Sequence, residues 1–132
     1  LFMVNRLIDM GEITDITKEE SVATFIAGIV RSVRFGHASS HGKANMMCYN
    51  YMEKNGAFSR NEEGKYVVDF EKAPEVIDSW ANLILETQAT GNLEFARKYA
   101  AENAEISEGL AADVAKVNEA GIPRDIVFEF NW

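Results

Sequence analysis

The sequence predicts a mainly α-helical fold, a bundle of about five or six helices with one small β-hairpin or sheet. Three observations carry that prediction. Apolar residues recur at helical spacing in separate stretches, each opened by a cap-forming side chain or closed by glycine. One stretch, Phe58 to Phe70, breaks that period and places turn formers beside strand-favouring residues. A chain of 132 residues, 47% hydrophobic and 26% charged, can enclose one modest core, so residues 1–132 read as a single helical domain.

The first helix is already in rhythm at the start of the sequence, with Leu1, Val4, Leu7 and Ile8 on one face, and it stops at Gly11. No basic segment with a small-residue cleavage site is present there, so it does not read as a signal peptide. The expectation is a sequence that starts inside a helix, as a piece of a longer protein would. Thr17 and Glu20 make a capping box for the second helix, whose buried face should hold Val22, Phe25, Ile26, Ile29, Val30 and Val33. Ser39 or Ser40 then caps a third helix, about Ser40 to Lys54, ending at Asn55-Gly56. Asn61 to Gly64 should turn a hairpin into Tyr66-Val67-Val68. Pro74 suits the first turn of a fourth helix running through Val76, Ile77, Trp80, Leu83, Ile84 and Gln88 to Gly91. Two further helices are expected at Leu93 to Glu102 and Ser107 to Glu119. Asp125 to Phe130 alternates like a last strand that could pair with the hairpin.

A net charge of −8 argues against a surface that tracks phosphates, so no nucleic acid is expected. No apolar run approaches the roughly 18 residues that span a bilayer. The single cysteine, Cys48, rules out an internal disulfide and fits a reducing compartment, but a secreted protein can also lack disulfides, so the location stays open with the cytoplasm favoured.

The chemistry to explain lies in RSVRFGHASSHGKANMMCYNYM, Arg31 to Met52, where His37 and His41 stand four residues apart. As metal ligands they fall short. Gly36 and Ser39-Ser40 lie around the expected helix boundary, the sequence has no third histidine, and no H-E-x-x-H run occurs, so no metal site is expected within this chain. A second reading puts His41 in the first turn of the third helix, with Lys43 close by. His41, Asn45 and Tyr49 then form a polar stripe beside an apolar one of Ala44, Met47, Cys48 and Tyr51. Histidine and amide donors on one stripe suit a carbonyl oxygen or a developing oxyanion. From spacing alone, an ordinary hydrogen-bonded boundary histidine is the plainer account. Glu19-Glu20 reads as acid complementing a helix dipole, the methionines as packing, and Arg31 and Arg34 as either cleft or solvated face.

The run RSVRFGHASSHGKANM, preceded by LFMVNRLIDMGEI and followed by NGAF, GKYVVDFEK and GIPRDIVFEF, resembles bacterial relatives of dipeptidyl peptidase III, a family of zinc metallopeptidases. The resemblance is continuous over essentially the whole chain but covers only the C-terminal part of such a protein. Some bacterial relatives are labelled Nudix-type hydrolases because their longer chains carry such a domain, and no Nudix box occurs here. The family's zinc motifs, H-E-x-x-G-H and a downstream E-E-x-x-A-E/D, are both absent. Glu19 to Thr24 imitates the second at the wrong place, and Leu1 would follow directly on the metal-binding helix.

The resemblance implies the C-terminal part of a catalytic lobe, with zinc in the parent protein and no cofactor in this segment. It implies a peptide substrate, and the remainder of the catalytic domain as partner. The family's His-x-x-x-Arg element falls on His41, so the resemblance turns His41 into a cleft-lining histidine that stabilises the transition state. The arginine position is Asn45, a neutral amide in place of a fixed cation. Asn45, Tyr49, Arg34 and Lys43 are then candidate substrate contacts. A stand-alone helical interaction or ligand-binding module is the competing expectation.

Overall fold

The computed structural model describes residues 1–124 and Phe128. In chain order the elements are α1 (Phe2–Asp9), α2 (Lys18–Val33), α3 (Ser40–Lys54), β1 (Phe58–Arg60), β2 (Tyr66–Val68), α4 (Ala73–Thr90), α5 (Leu93–Asn103) and α6 (Glu108–Glu119). The fold is mainly α with a small hairpin, as the hydrophobic period requires. Apart from Phe128, the strand expected over 125–130 lies outside the described residues, as does Trp132.

Short-range chemistry sets most boundaries. The capping box of α2 is complete: Thr17 Oγ1 accepts from the Glu20 amide at 3.1 Å, and Glu20 Oε2 accepts from the Thr17 amide at 2.8 Å. Glu20 therefore serves the helix start. Ser39 caps α3 by accepting from the Gly42 amide at 3.1 Å. Asn61 Oδ1 accepts from the Glu63 and Lys65 amides, folding the loop that pairs Phe58 with Val68 and Arg60 with Tyr66 in antiparallel register. Asp69 Oδ1 gathers the Glu71 and Lys72 amides ahead of α4. Gly91 then takes the left-handed conformation that ends α4, and Asn92 caps α5 directly.

The core lies between α2, α3, the start of α4 and the hairpin. From α2 it takes Val22, Ile26, Ile29 and Val33, the spacing of a single helix face. From α3 it takes Met46, Cys48, Tyr49 and Met52. Ala57, Phe58, Val76, Ile77 and Leu110 close it, so α6 is anchored by one fully buried leucine.

Candidate functional site

His41 lies at the exposed second position of α3, and its placement follows from two glycines. Gly36 has φ +110°, a backbone conformation that side chains disfavour, and it folds the chain back over the start of α3. Gly42 receives that fold: a Cβ there would lie 2.5 Å from the Gly36 carbonyl oxygen and 2.6 Å from the His37 Cα. The loop and the first turn of α3 are therefore in backbone contact. His37 is half-buried beside that contact and His41 stands outside it.

The remaining candidates separate. One turn beyond His41, half-buried Asn45 donates from Nδ2 to Ser32 Oγ at 2.7 Å, tying α3 to the end of α2. Lys43 is exposed, two residues from His41 and so close to the opposite side of the helix. Arg34 spans elements. Its Nε and Nη2 donate to Asn118 Oδ1 at 3.2 and 3.1 Å, and Nη2 also donates to the Ile122 carbonyl at 2.7 Å. The Arg34 carbonyl in turn accepts from Arg124 Nη1 at 3.2 Å, so Arg34 joins the ends of α2 and α6.

The stripe expected on α3 needs correction. Tyr49 is 0% exposed, as is Met46, so the helix rolls inward and its polar face ends at Asn45. Ala44, expected to face the core, is exposed, and Met47 and Tyr51 are half-buried. The physical reason is the hairpin. Phe58 and Tyr66 pack on the Tyr49 ring with centroids 4.9 and 6.5 Å away, and its hydroxyl lies 3.2 Å from that of Tyr66. A tyrosine whose hydroxyl finds such partners can bury its whole ring.

That hydroxyl belongs to a polar cluster with no sequence signature, because its members come from four elements, α3, β1, β2 and α6. Arg60 Nη2 donates to Tyr66 Oη at 2.7 Å and reaches Tyr49 Oη at 3.5 Å. Its Nη1 lies 2.7 Å from Asp113 Oδ2, an ion pair whose angle makes it a Coulombic contact more than a directed hydrogen bond. The guanidinium lies against Gly109, where a Cβ would stand 3.1 Å from its Cζ. Burial opposes the Arg60 charge, but the hydrogen bond to Tyr49 and the nearby Tyr66 and Asp113 more than offset it, and its pKa rises above the usual value. Burial, then the Tyr49 hydrogen bond, pushes the Tyr66 phenol well above its ordinary range.

The principal cavity, about 410 Å³, opens between α2, α3, α4 and α5, with Phe25, Cys48, Trp80 and Tyr99 among its walls. Asn45 is part of its lining and His41 is not. Burial pushes the Cys48 thiol up to about 11, which makes it a poor nucleophile at neutral pH. Among the described residues no group of three or more His, Cys, Asp or Glu comes together as a metal site. The sequence holds two histidines, His37 and His41, and among the described residues no carboxylate joins them, so the donor set there does not fit a zinc ion. Among the described residues no helix is long and apolar enough to cross a membrane.

No family model matches the chain. A curated relative, Nudix hydrolase 3 of Arabidopsis thaliana, is 29% identical over 126 residues, which are 96% of this chain and 16% of that protein. Two solved structures share the fold. Dipeptidyl-peptidase III from Corallococcus sp. strain EGB superposes with a TM-score of 0.88 at 26% identity over 96% of this chain. The enzyme from Caldithrix abyssi gives 0.84 at 30% identity over 91%. In both cases the match covers 23% of the other chain. The chain thus spans between a sixth and a quarter of the relatives it matches, and its fold is that of a segment of dipeptidyl-peptidase III structures.

Proposed function

We propose that this chain is the C-terminal helical segment of a zinc-dependent, peptidase-like hydrolase, where it lines the substrate cleft and supplies a transition-state-stabilising histidine, His41. The observation that carries the reading is the superposition on dipeptidyl-peptidase III over 96% of the chain, with His41 exposed at the start of a helix held by backbone contact. Residues 1–132 act as one structural unit within a longer catalytic domain, and the remainder of that domain is the partner. Zinc belongs to residues outside this chain. The name of the curated relative concerns a protein of which this chain matches a sixth, and Nudix chemistry is not part of the proposal.

His41 acts as a hydrogen-bond donor to the oxygen of the tetrahedral intermediate, an interaction that strengthens as charge develops there. Asn45 offers its amide oxygen to the substrate backbone, while one Nδ2 hydrogen goes to Ser32 Oγ and fixes the side chain. Lys43 contributes charge at the mouth of the cleft. Arg34 and Tyr49 act from behind, Arg34 by fixing the loop before α3 and Tyr49 by seating the helix.

The test is His41→Ala in the longer protein, assayed on short peptides with metal content measured alongside. The expected result is a fall in kcat of about a hundredfold or more, the usual effect of removing one such donor. Circular dichroism should not change, since the side chain is exposed. Unchanged turnover at full metal loading would sink the role of His41.

A further inference from the structure

The second half of α4 and the whole of α5 carry apolar side chains that the core does not take. The buried residues of α4 are Ala73, Val76 and Ile77, all in its first two turns, and among the described residues none of α5 is buried. Yet the apolar rhythm of α4 continues through Trp80, Leu83 and Ile84, and α5 adds Phe95 and Tyr99. These face the cavity of about 410 Å³. A second hollow of about 210 Å³ shares Phe25, Cys48, Trp80 and Ile84 with it and continues to Phe2 of α1.

Together they form one apolar trough along α4. Trp80 and Tyr99 line it with tilted rings whose centroids are 6.0 Å apart, and Tyr51 backs Trp80 at 5.0 Å. Apolar surface left in water forgoes about 25 cal/mol per Å², and a continuous patch of this kind marks a place where another body sits. Few polar side chains line the trough. Asn45 Nδ2 donates to Ser32 Oγ, and Thr87 Oγ1 donates to the Leu83 carbonyl at 2.7 Å, which leaves the Asn45 amide oxygen and the exposed Gln88 beside walls otherwise made of Phe25, Met47, Trp80, Leu83, Ile84 and Phe95. A mainly apolar occupant fits that lining. Its source follows from the relatives, in which the matched stretch is 16% or 23% of a much longer chain.

We propose that this trough seats an apolar segment of the longer chain, packed in cis over Trp80 and Ile84. The inference rests on the longer-chain part of the proposed function and not on the role of His41.

Thiol labelling in a Cys48→Ala background tests it. Ile84→Cys and Gln88→Cys place one reporter each in the trough, at positions already exposed in this chain. Each is made in the 132-residue chain and in protein expressed from the whole reading frame that encodes it. Maleimide uptake is read by peptide mass and divided by the rate in urea. The expected result is at least tenfold slower labelling of both positions in the longer protein. An unchanged rate at either position overturns the proposal, as does a reading frame that adds no residues. Slowing that grows with the concentration of the 132-residue chain alone would also overturn it, giving the trough to a second copy. Protection without any effect of His41→Ala on turnover would remove the catalytic role and leave the docking. The reverse result would do the opposite.

Discussion

At the scale of single residues, the two glycines that hold His41 are the most exacting positions. Alanine usually favours a helix over glycine by about 0.5–1 kcal/mol, which would recommend Gly42→Ala on propensity alone. The contact geometry reverses that sign, because the new methyl would press on the Gly36 carbonyl and the His37 backbone, which cannot yield as a flexible side chain can. Gly42→Ala is expected to lose about 1–3 kcal/mol, the usual cost of overpacking, seen as a lower urea midpoint with unchanged slope. Cys48 gives a second expectation. Its folded pKa of about 11 stands above the ~8.5 of an unfolded thiol, so only the unfolded chain releases the proton in between. Stability from this group is complete below about pH 8.5 and is lost as pH rises towards 11. Urea midpoints should therefore fall across that window, and fall less in Cys48→Ala. Tyr66 and Tyr99, both raised chiefly by burial, add to the loss at higher pH. Sequence reading located His41 and Asn45 at the start of the helix but put Tyr49 on the wrong side. Spacing groups residues into a stripe without saying where along the helix a neighbour begins to cover it.

At the scale of elements, legibility follows the range of the interaction. The capping box, the Ser39 cap, the Asn61 turn and the Gly91 stop are all settled within about four residues, and each was readable in the sequence. The attachment of α6 to the hairpin was not, because Arg60 and Asp113 meet only after folding. That pair yields a test. Its side chains are 22% and 17% exposed, so water screens it in part and the full penalty of a buried broken ion pair does not apply. Asp113→Ala should cost about 1–2 kcal/mol by leaving Arg60 with only phenol partners. A drop in thermal midpoint smaller in the Arg60→Met background would locate the loss in the pair. Equal drops in both backgrounds would assign it to α6 itself.

At the scale of the whole molecule, the described chain has a dense part and a loose part. Helix α2, helix α3 and the first two turns of α4 share the buried residues, whereas α5 is attached by rings and by two bonds from Asn50 Nδ2 to the Asn103 and Glu105 carbonyls, each 2.9 Å. The periodic pattern of α4 and α5 reads the same whether the apolar face meets this core or something else, so sequence alone could not show that half of it is left open. Local opening should follow burial, since segments with few buried contacts open at a small fraction of the global unfolding free energy. Amide exchange in the 132-residue chain is therefore expected to be at least tenfold faster in α5 and in Ala81 to Thr90 than in Val22 to Val33. Asn50→Ala should quicken α5 further and leave α2 unchanged. In the longer protein the gap should narrow, because an occupant over Trp80 removes the opening route. Uniform protection in the 132-residue chain would mean that α5 already shares the core's stability, and the apolar face along α4 would then need no partner.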